Sequence, residues 1–161
     1  MRIRDYRPED AADLARIFYR SVRRLAARHY DEAQVQAWAP RLGDPGAWNR
    51  RATDGRITIV AVDDADRPIA FGDLERSGHV DHLYCSPEAQ GTGAASAVYD
   101  GLERYARDLG LTRLYVEASE CALPLFGRKG FSRIRRNDFA LQGVSIHNYS
   151  MEKILSSTAP R

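Results

Sequence analysis

The chain has 161 residues, 43% apolar, with a formal charge of +2. That size and apolar content are enough for one compact domain with its own core, expected over residues 1–155, with residues 156–161 as a flexible C-terminal tail. The weak net charge argues against a dedicated nucleic-acid binder, and two cysteines are too few for a disulfide framework.

Arg2 to Tyr6 alternates like a short strand. Arg7-Pro8-Glu9-Asp10 then opens a helix, with proline and acids where a first turn accepts them. Leu14, Ile17, Phe18, Val22, Leu25 and Ala26 give that helix one apolar face. A second helix is predicted from Asp31 to Ala39, and Pro40 to Ala47 reads as a loop. Ile57–Val62 and Pro68–Leu74 form a hairpin around Asp63-Asp64-Ala65-Asp66, and Gly78 marks a turn before a strand from His79 to Cys85. A helix from near Gly93 stops at Gly110, and Leu111–Glu117 reads as a strand. Strand, turn, helix and strand in that order predict a parallel crossover. A short helix, Cys121–Arg128, then leads to two strands, Phe131–Leu141 and Val144–Met151, turning at Gln142-Gly143. Met1–Tyr6 is too charged to read as a signal peptide, and no apolar run reaches membrane length, so a cytoplasmic protein without a membrane partner is expected.

The segment Ser86 to Ala95 carries the chemistry. A small-residue turn that ends a strand and opens a helix leaves several backbone N–H groups pointing one way, a nest for phosphate. A P-loop is a poor fit, because no lysine follows Gly93; a dinucleotide fingerprint is also poor, with two glycines in mid-chain. The pattern Gln90-x-x-Gly93-x-Ala95 resembles the Q/R-x-x-G-x-G/A turn of the GNAT superfamily of acyl-CoA-dependent N-acyltransferases. Leu83–Pro87 resembles the strand end before that turn, and Ala122–Phe131 resembles the late family signature, a basic helix end followed by Gly-Phe.

The resemblance implies an α/β fold: a mixed, splayed central sheet flanked by helices. It implies acetyl-CoA as acyl donor, with its pyrophosphate on the amides of Gly91, Thr92, Gly93, Ala94 and Ala95 beside Gln90 and Arg128. The pantetheine arm is expected between His79–Cys85 and Leu111–Glu117, against Leu83, Tyr84, Cys85 and Ser119. Ser119 stands where the family often has asparagine. Phe126 takes the place of a tyrosine that protonates the leaving thiolate, leaving water, Tyr149 or Tyr84 for that task. The acceptor is expected to be a primary amine on a small molecule or peptide, and family members often pair as dimers.

An alkyl ammonium must lose a proton before it attacks, with a pKa near 10.4. Strict alternation puts His79, Asp81, Leu83 and Cys85 on one face, so Asp81 and His79 are the expected bases, working through water; the alternative is that Asp81 only binds the substrate cation. His79 and His82 then face opposite ways, and no metal site is expected. Cys85 reads as a small apolar wall, and Tyr30, Trp38 and Trp48 as core aromatics with a possible place against the acceptor. A rival reading keeps the fold without catalysis: an acyl-CoA sensor, favoured by Phe126.

Overall fold

The computed structural model describes residues 1–156; of the expected tail, residues 157–161 lie outside the described residues. The chain runs β1 (Arg2–Asp5), α1 (Ala11–Arg24), α2 (Glu32–Trp38), α3 (Pro45–Ala52), β2 (Ile57–Val62), β3 (Pro68–Leu74) and β4 (Val80–Cys85). It continues through α4 (Ala94–Asp108), β5 (Arg113–Ala118), α5 (Leu123–Arg128), β6 (Ser132–Leu141) and β7 (Val144–Ile154). None of the described helices is long and apolar enough to cross a membrane.

The fold is mixed α/β, as expected. Strands β1-β2-β3-β4 form one antiparallel sheet and β5-β7-β6 a second. Among the described residues the two sheets are joined by a single parallel bridge between His79 and Tyr115, where the Tyr115 N–H donates to the Gly78 carbonyl at 3.0 Å. Beyond that bridge β4 and β5 separate. This is the splay between parallel neighbours that the crossover implied.

Period-two alternation in β2 sorts its side chains between two helices. Ile59 and Ala61 join Val98 and Leu102 of α4, with Leu114 and Val116 of β5, in the larger core. Val60 and Val62 face Leu14 and Ile17 of α1, together with Phe71 of β3. A third cluster, Val22, Ala26, Tyr30, Val35 and Ile146, packs α1 and α2 against β7.

Two expectations fail. The stretch read as loop through Ala47 contains the start of α3. Asp44 caps it, accepting the Ala47 N–H at 3.0 Å, and Pro45 sits in its first turn, where no N–H is needed. The faces of β4 are also shifted. Gly72 pairs with Leu83 but Leu74 pairs with Val80, so two β4 residues, Asp81 and His82, stand opposite Asp73 alone. This bulge ends strict alternation. Val80, Leu83 and Cys85 pack toward α4, while His82 stacks on Phe18 of α1 and Tyr84 meets it edge-on. Asp81 therefore shares a face with His82, not with Leu83.

Gly72 lies beside the bulge because there is no room for more. A Cβ there would come within 2.9 Å of Val98 Cγ1 and 3.1 Å of the His82 carbonyl oxygen. Gly72→Ala should therefore destabilise the protein by about 1–3 kcal/mol, read from urea unfolding midpoints. An unchanged midpoint would show that the bulge has slack.

Candidate active site

The strand-to-helix turn is built for an open row of amides. After β4, the Ser86 N–H returns to the Ile69 carbonyl at 2.8 Å, and Pro87–Ala89 make one 3₁₀ turn. Gly91 and Gly93 then take φ of +79° and +86°, conformations that L side chains resist. A Cβ at either would meet nothing within 4 Å, so the glycines serve backbone shape rather than packing. Among the described residues, the N–H groups of Gly91, Gly93, Ala94, Ala95 and Ser96 find no acceptor in the chain. Thr92 is the exception to the expected set: its N–H donates to the Ala89 carbonyl at 3.2 Å. The expected nest thus loses Thr92 and gains Ser96. Its amides lie at the positive end of a 15-residue helix.

The slot between β4 and β5 also has open backbone. The N–H groups of His82 and Ser86 point toward β3, the first to Asp73 Oδ1 at 3.1 Å. Backbone groups alternate between strand edges, so those of Leu83 and Cys85 face the slot. Two cavities open onto it. One, of about 260 Å³, is lined by Leu83, Tyr84, Cys85, Gln90, Gly91, Ala95 and Ser119, with Arg28 and Arg128 as its charged residues. The other, of about 300 Å³, is lined by aromatic and apolar groups from Tyr30, Trp38, Phe139 and Ile146, with Asp81 and Glu117 as its charged residues. Trp38, Leu83, Tyr84, Ser119 and Ala122 border both. Arginines stand on the wall of one cavity and carboxylates on the wall of the other, and the two meet at one seam.

The expected site residues separate into three groups. Leu83, Tyr84, Cys85, Gln90, Gly91, Ala95, Ser119 and Arg128 surround the basic cavity. Gly93 and Ala94 belong to the amide row beside it. Phe126 does not: it is 1% exposed and packs edge-on to Tyr99 and Phe131 in the core, reaching only the acidic cavity. Cys85 is a wall, as expected, and burial raises its thiol pKa, which disfavours a nucleophilic thiolate.

Both expected bases are compromised by their partners. Asp81 Oδ2 accepts from Arg51 and from Arg56 Nη1, the latter at 3.1 Å. Burial would raise its pKa, but the neighbouring His82, Arg51 and Arg56 win, and the carboxyl is held below its ordinary range. Such an anion takes up a proton poorly. His79 has a carboxylate on each ring nitrogen, Glu75 on Nδ1 at 2.6 Å and Glu117 on Nε2 at 3.0 Å. Burial would lower its pKa, yet the Glu75 hydrogen bond and the charges of Glu117 and Asp81 outweigh it and favour the cation. With a carboxylate on each ring nitrogen, neither is open to take a proton from the substrate. The ring also lies outside the walls of both cavities.

Sequence reasoning missed three groups on the acidic cavity: Glu117, His82 and His147. His82 is ringed by Phe18, Trp48, Phe71 and Tyr84, and burial drives its pKa down to about 4. Its Nδ1 is walled in without a hydrogen-bond partner, 3.8 Å from Asp73 Oδ2. His147 Nε2 bonds Glu120 Oε1 at 2.7 Å, and the Tyr149 hydroxyl donates to the same oxygen at 2.8 Å. Tyr149, a suggested proton donor, is thereby engaged away from the seam; Tyr84 lies on the seam, and burial raises its pKa.

Residues 26–153 match the family model for the acetyltransferase (GNAT) domain. An uncharacterized N-acetyltransferase, YafP, of Escherichia coli (strain K12) is 30% identical over 152 residues, 94% of each chain. A GCN5-related N-acetyltransferase structure from Rhodopseudomonas palustris is 34% identical, with TM-score 0.87 over 96% of this chain and 95% of that one. A phosphinothricin acetyltransferase from Sinorhizobium meliloti, solved with AcCoA, shares the fold at 20% identity, with TM-score 0.76 over 99% of this chain and 91% of that one.

The Glu120 cluster makes a pH-dependent prediction. Hydrogen bonds from His147 and Tyr149 outweigh burial and hold its pKa below the ordinary 4.5. The stability it contributes is present above that value and lost as pH falls through the lowered one. Glu120→Gln should cost about 1–2 kcal/mol at pH 7, and the gap should narrow as pH is lowered toward about 3. Urea midpoints across that range check it; a constant gap would contradict the assignment.

Proposed function

This chain belongs to the GNAT acetyltransferase family, and we propose that it moves an acetyl group from acetyl-CoA to a primary amine by direct transfer. The observation that carries this reading is the pair of cavities, one with arginines on its wall and the other with carboxylates, that meet at one seam. A polyanionic donor suits the basic cavity, beside which the free N–H groups of Gly91 and Gly93–Ser96 would donate to a pyrophosphate, with no Cβ in the way at Gly91 and Gly93. Arg28 and Arg128 add charge there. A cationic amine suits the other, lined by Asp81 and Glu117.

The pantetheine arm would then lie along the open edge of β4, hydrogen-bonded by Leu83 and Cys85 like an added strand. An N–H of the same pair would stabilise the oxyanion at the thioester carbon. The departing thiol has an ordinary pKa near 8.5, so it needs only modest help, and Tyr84 stands at the seam with its proton retained by burial. The acyl-transferring unit is proposed to span residues 1–155, in a cytoplasmic setting and with pairing into dimers left to solution measurement.

Mixing the protein with acetyl-CoA and a panel of primary amines should release free thiol with at least one acceptor. Binding of acetyl-CoA with no release on any amine would favour the sensor reading instead. Gly93→Val adds a β-branched side chain at positive φ and should weaken acetyl-CoA binding by about tenfold or more in calorimetry. Asp81→Asn should mainly raise KM for the amine, with kcat falling less than about tenfold. A kcat loss of about 10²-fold or more would restore Asp81 as the base.

A further inference from the structure

We propose that His147 is the proton acceptor for the amine, oriented by Glu120. The inference rests on the acyl-transfer reading above and assigns a role within it to a residue on β7.

His147 lines the acidic cavity, the side assigned to the acceptor. Its ring stands between Tyr30 and Tyr149, with centroids at 5.4 and 5.6 Å. Glu120 directly follows Ser119, which borders both cavities, so the pair sits next to the seam. The Glu120 main chain is pinned as well: its N–H donates to the Tyr30 hydroxyl at 3.0 Å, and that hydroxyl donates to the His147 carbonyl at 3.0 Å. Side chain and backbone thus hold imidazole and carboxylate in one fixed relation.

That relation selects a tautomer. Glu120 is ionised at neutral pH and only accepts hydrogen bonds. A neutral His147 must therefore carry its proton on Nε2, leaving the Nδ1 lone pair free. Among the described residues Nδ1 has no hydrogen-bond partner, and it is not walled in, unlike His82 Nδ1. Of the other imidazoles, His29 lines the basic cavity rather than the acceptor side, His79 is bonded to a carboxylate through both nitrogens, and His82 is depressed to about pKa 4 with Nδ1 walled in. His147 is the one with an oriented, unoccupied lone pair.

The proton balance follows. The substrate ammonium gives one proton to His147 Nδ1, directly or through one water. The freed nitrogen pair bonds the thioester carbonyl carbon, and the C–S bond breaks with its electrons on sulfur. The second nitrogen proton ends on that sulfur by way of Tyr84. His147 later returns its proton to solvent, giving amide, free thiol and one released proton.

Three measurements test this. First, ¹⁵N spectra of the free enzyme's histidine side chains should show His147 protonated at Nε2 and bare at Nδ1, and Glu120→Gln should mix the tautomers. This readout needs no acceptor, so it stands apart from the acyl-transfer reading. Second, with the best amine of the panel, His147→Gln should lower kcat by about 10²- to 10³-fold while acetyl-CoA affinity stays within about twofold. Glu120→Gln should lose about tenfold. Third, added imidazole should restore at least about tenfold of the activity lost in His147→Ala. A proton on Nδ1 in the wild type, a kcat for His147→Gln within about threefold of wild type, or no rescue by imidazole would each overturn the assignment.

Discussion

The whole site depends on two parallel strands that meet at one end and part at the other. Among the described residues, His79, just before β4, and Tyr115 of β5 form the only bridge between the two sheets. Past it, the edges of both strands carry backbone donors and acceptors without a partner strand. Exposed edges invite unwanted pairing, and proteins seldom leave them bare. Here the edge is sunk between α1, α2 and the β6–β7 hairpin, so what pairs with it must thread a slot. In the proposed reading an extended pantetheine arm would thread that slot and bring the thioester at its tip to the seam of the two cavities.

A charge network keeps that geometry in place. Asp73 is fully buried, and its carboxylate receives Arg51, Arg56 and the His82 N–H at the bulge. Arg51 and Arg56 also reach Asp81, so the two carboxylates share two guanidiniums across β3 and β4. A buried pair of this kind stabilises less than its contacts suggest, but removing one member leaves an uncompensated charge. The network's main effect is geometric. It holds an extra residue in β4, turns Asp81 and His82 to the same face, and sets the acidic cavity apart from the basic one.

Local signals were legible in the sequence, and tertiary ones were not. Gly91 and Gly93 announced the amide row, because positive φ is written into residue type. The order of strand, turn, helix and strand announced the parallel crossover. Leu83, Cys85 and Ser119, which the family resemblance pointed to, line the basic cavity. The bulge was not legible: one extra residue at Asp81–His82 reverses the faces expected for Val80 and Asp81 while Leu83 and Cys85 keep theirs, and it is held by Asp73, a carboxylate on another strand. Asp44-Pro45 was a legible helix start that the glycines at 43 and 46 disguised. Phe126 kept its place in the late signature but points into the core. Glu120 and His147 are 27 residues apart and meet only through the packing of β7 against the end of β5. No spacing rule links them.

The most direct measurement of the central claim is an amide NMR titration of the ¹⁵N-labelled protein with coenzyme A. The account predicts the largest shifts at Gly91 and at Gly93 to Ser96, with a second group at Leu83 and Cys85 on the open edge of β4. Shifts confined to other surfaces, or none at saturating ligand, would contradict it.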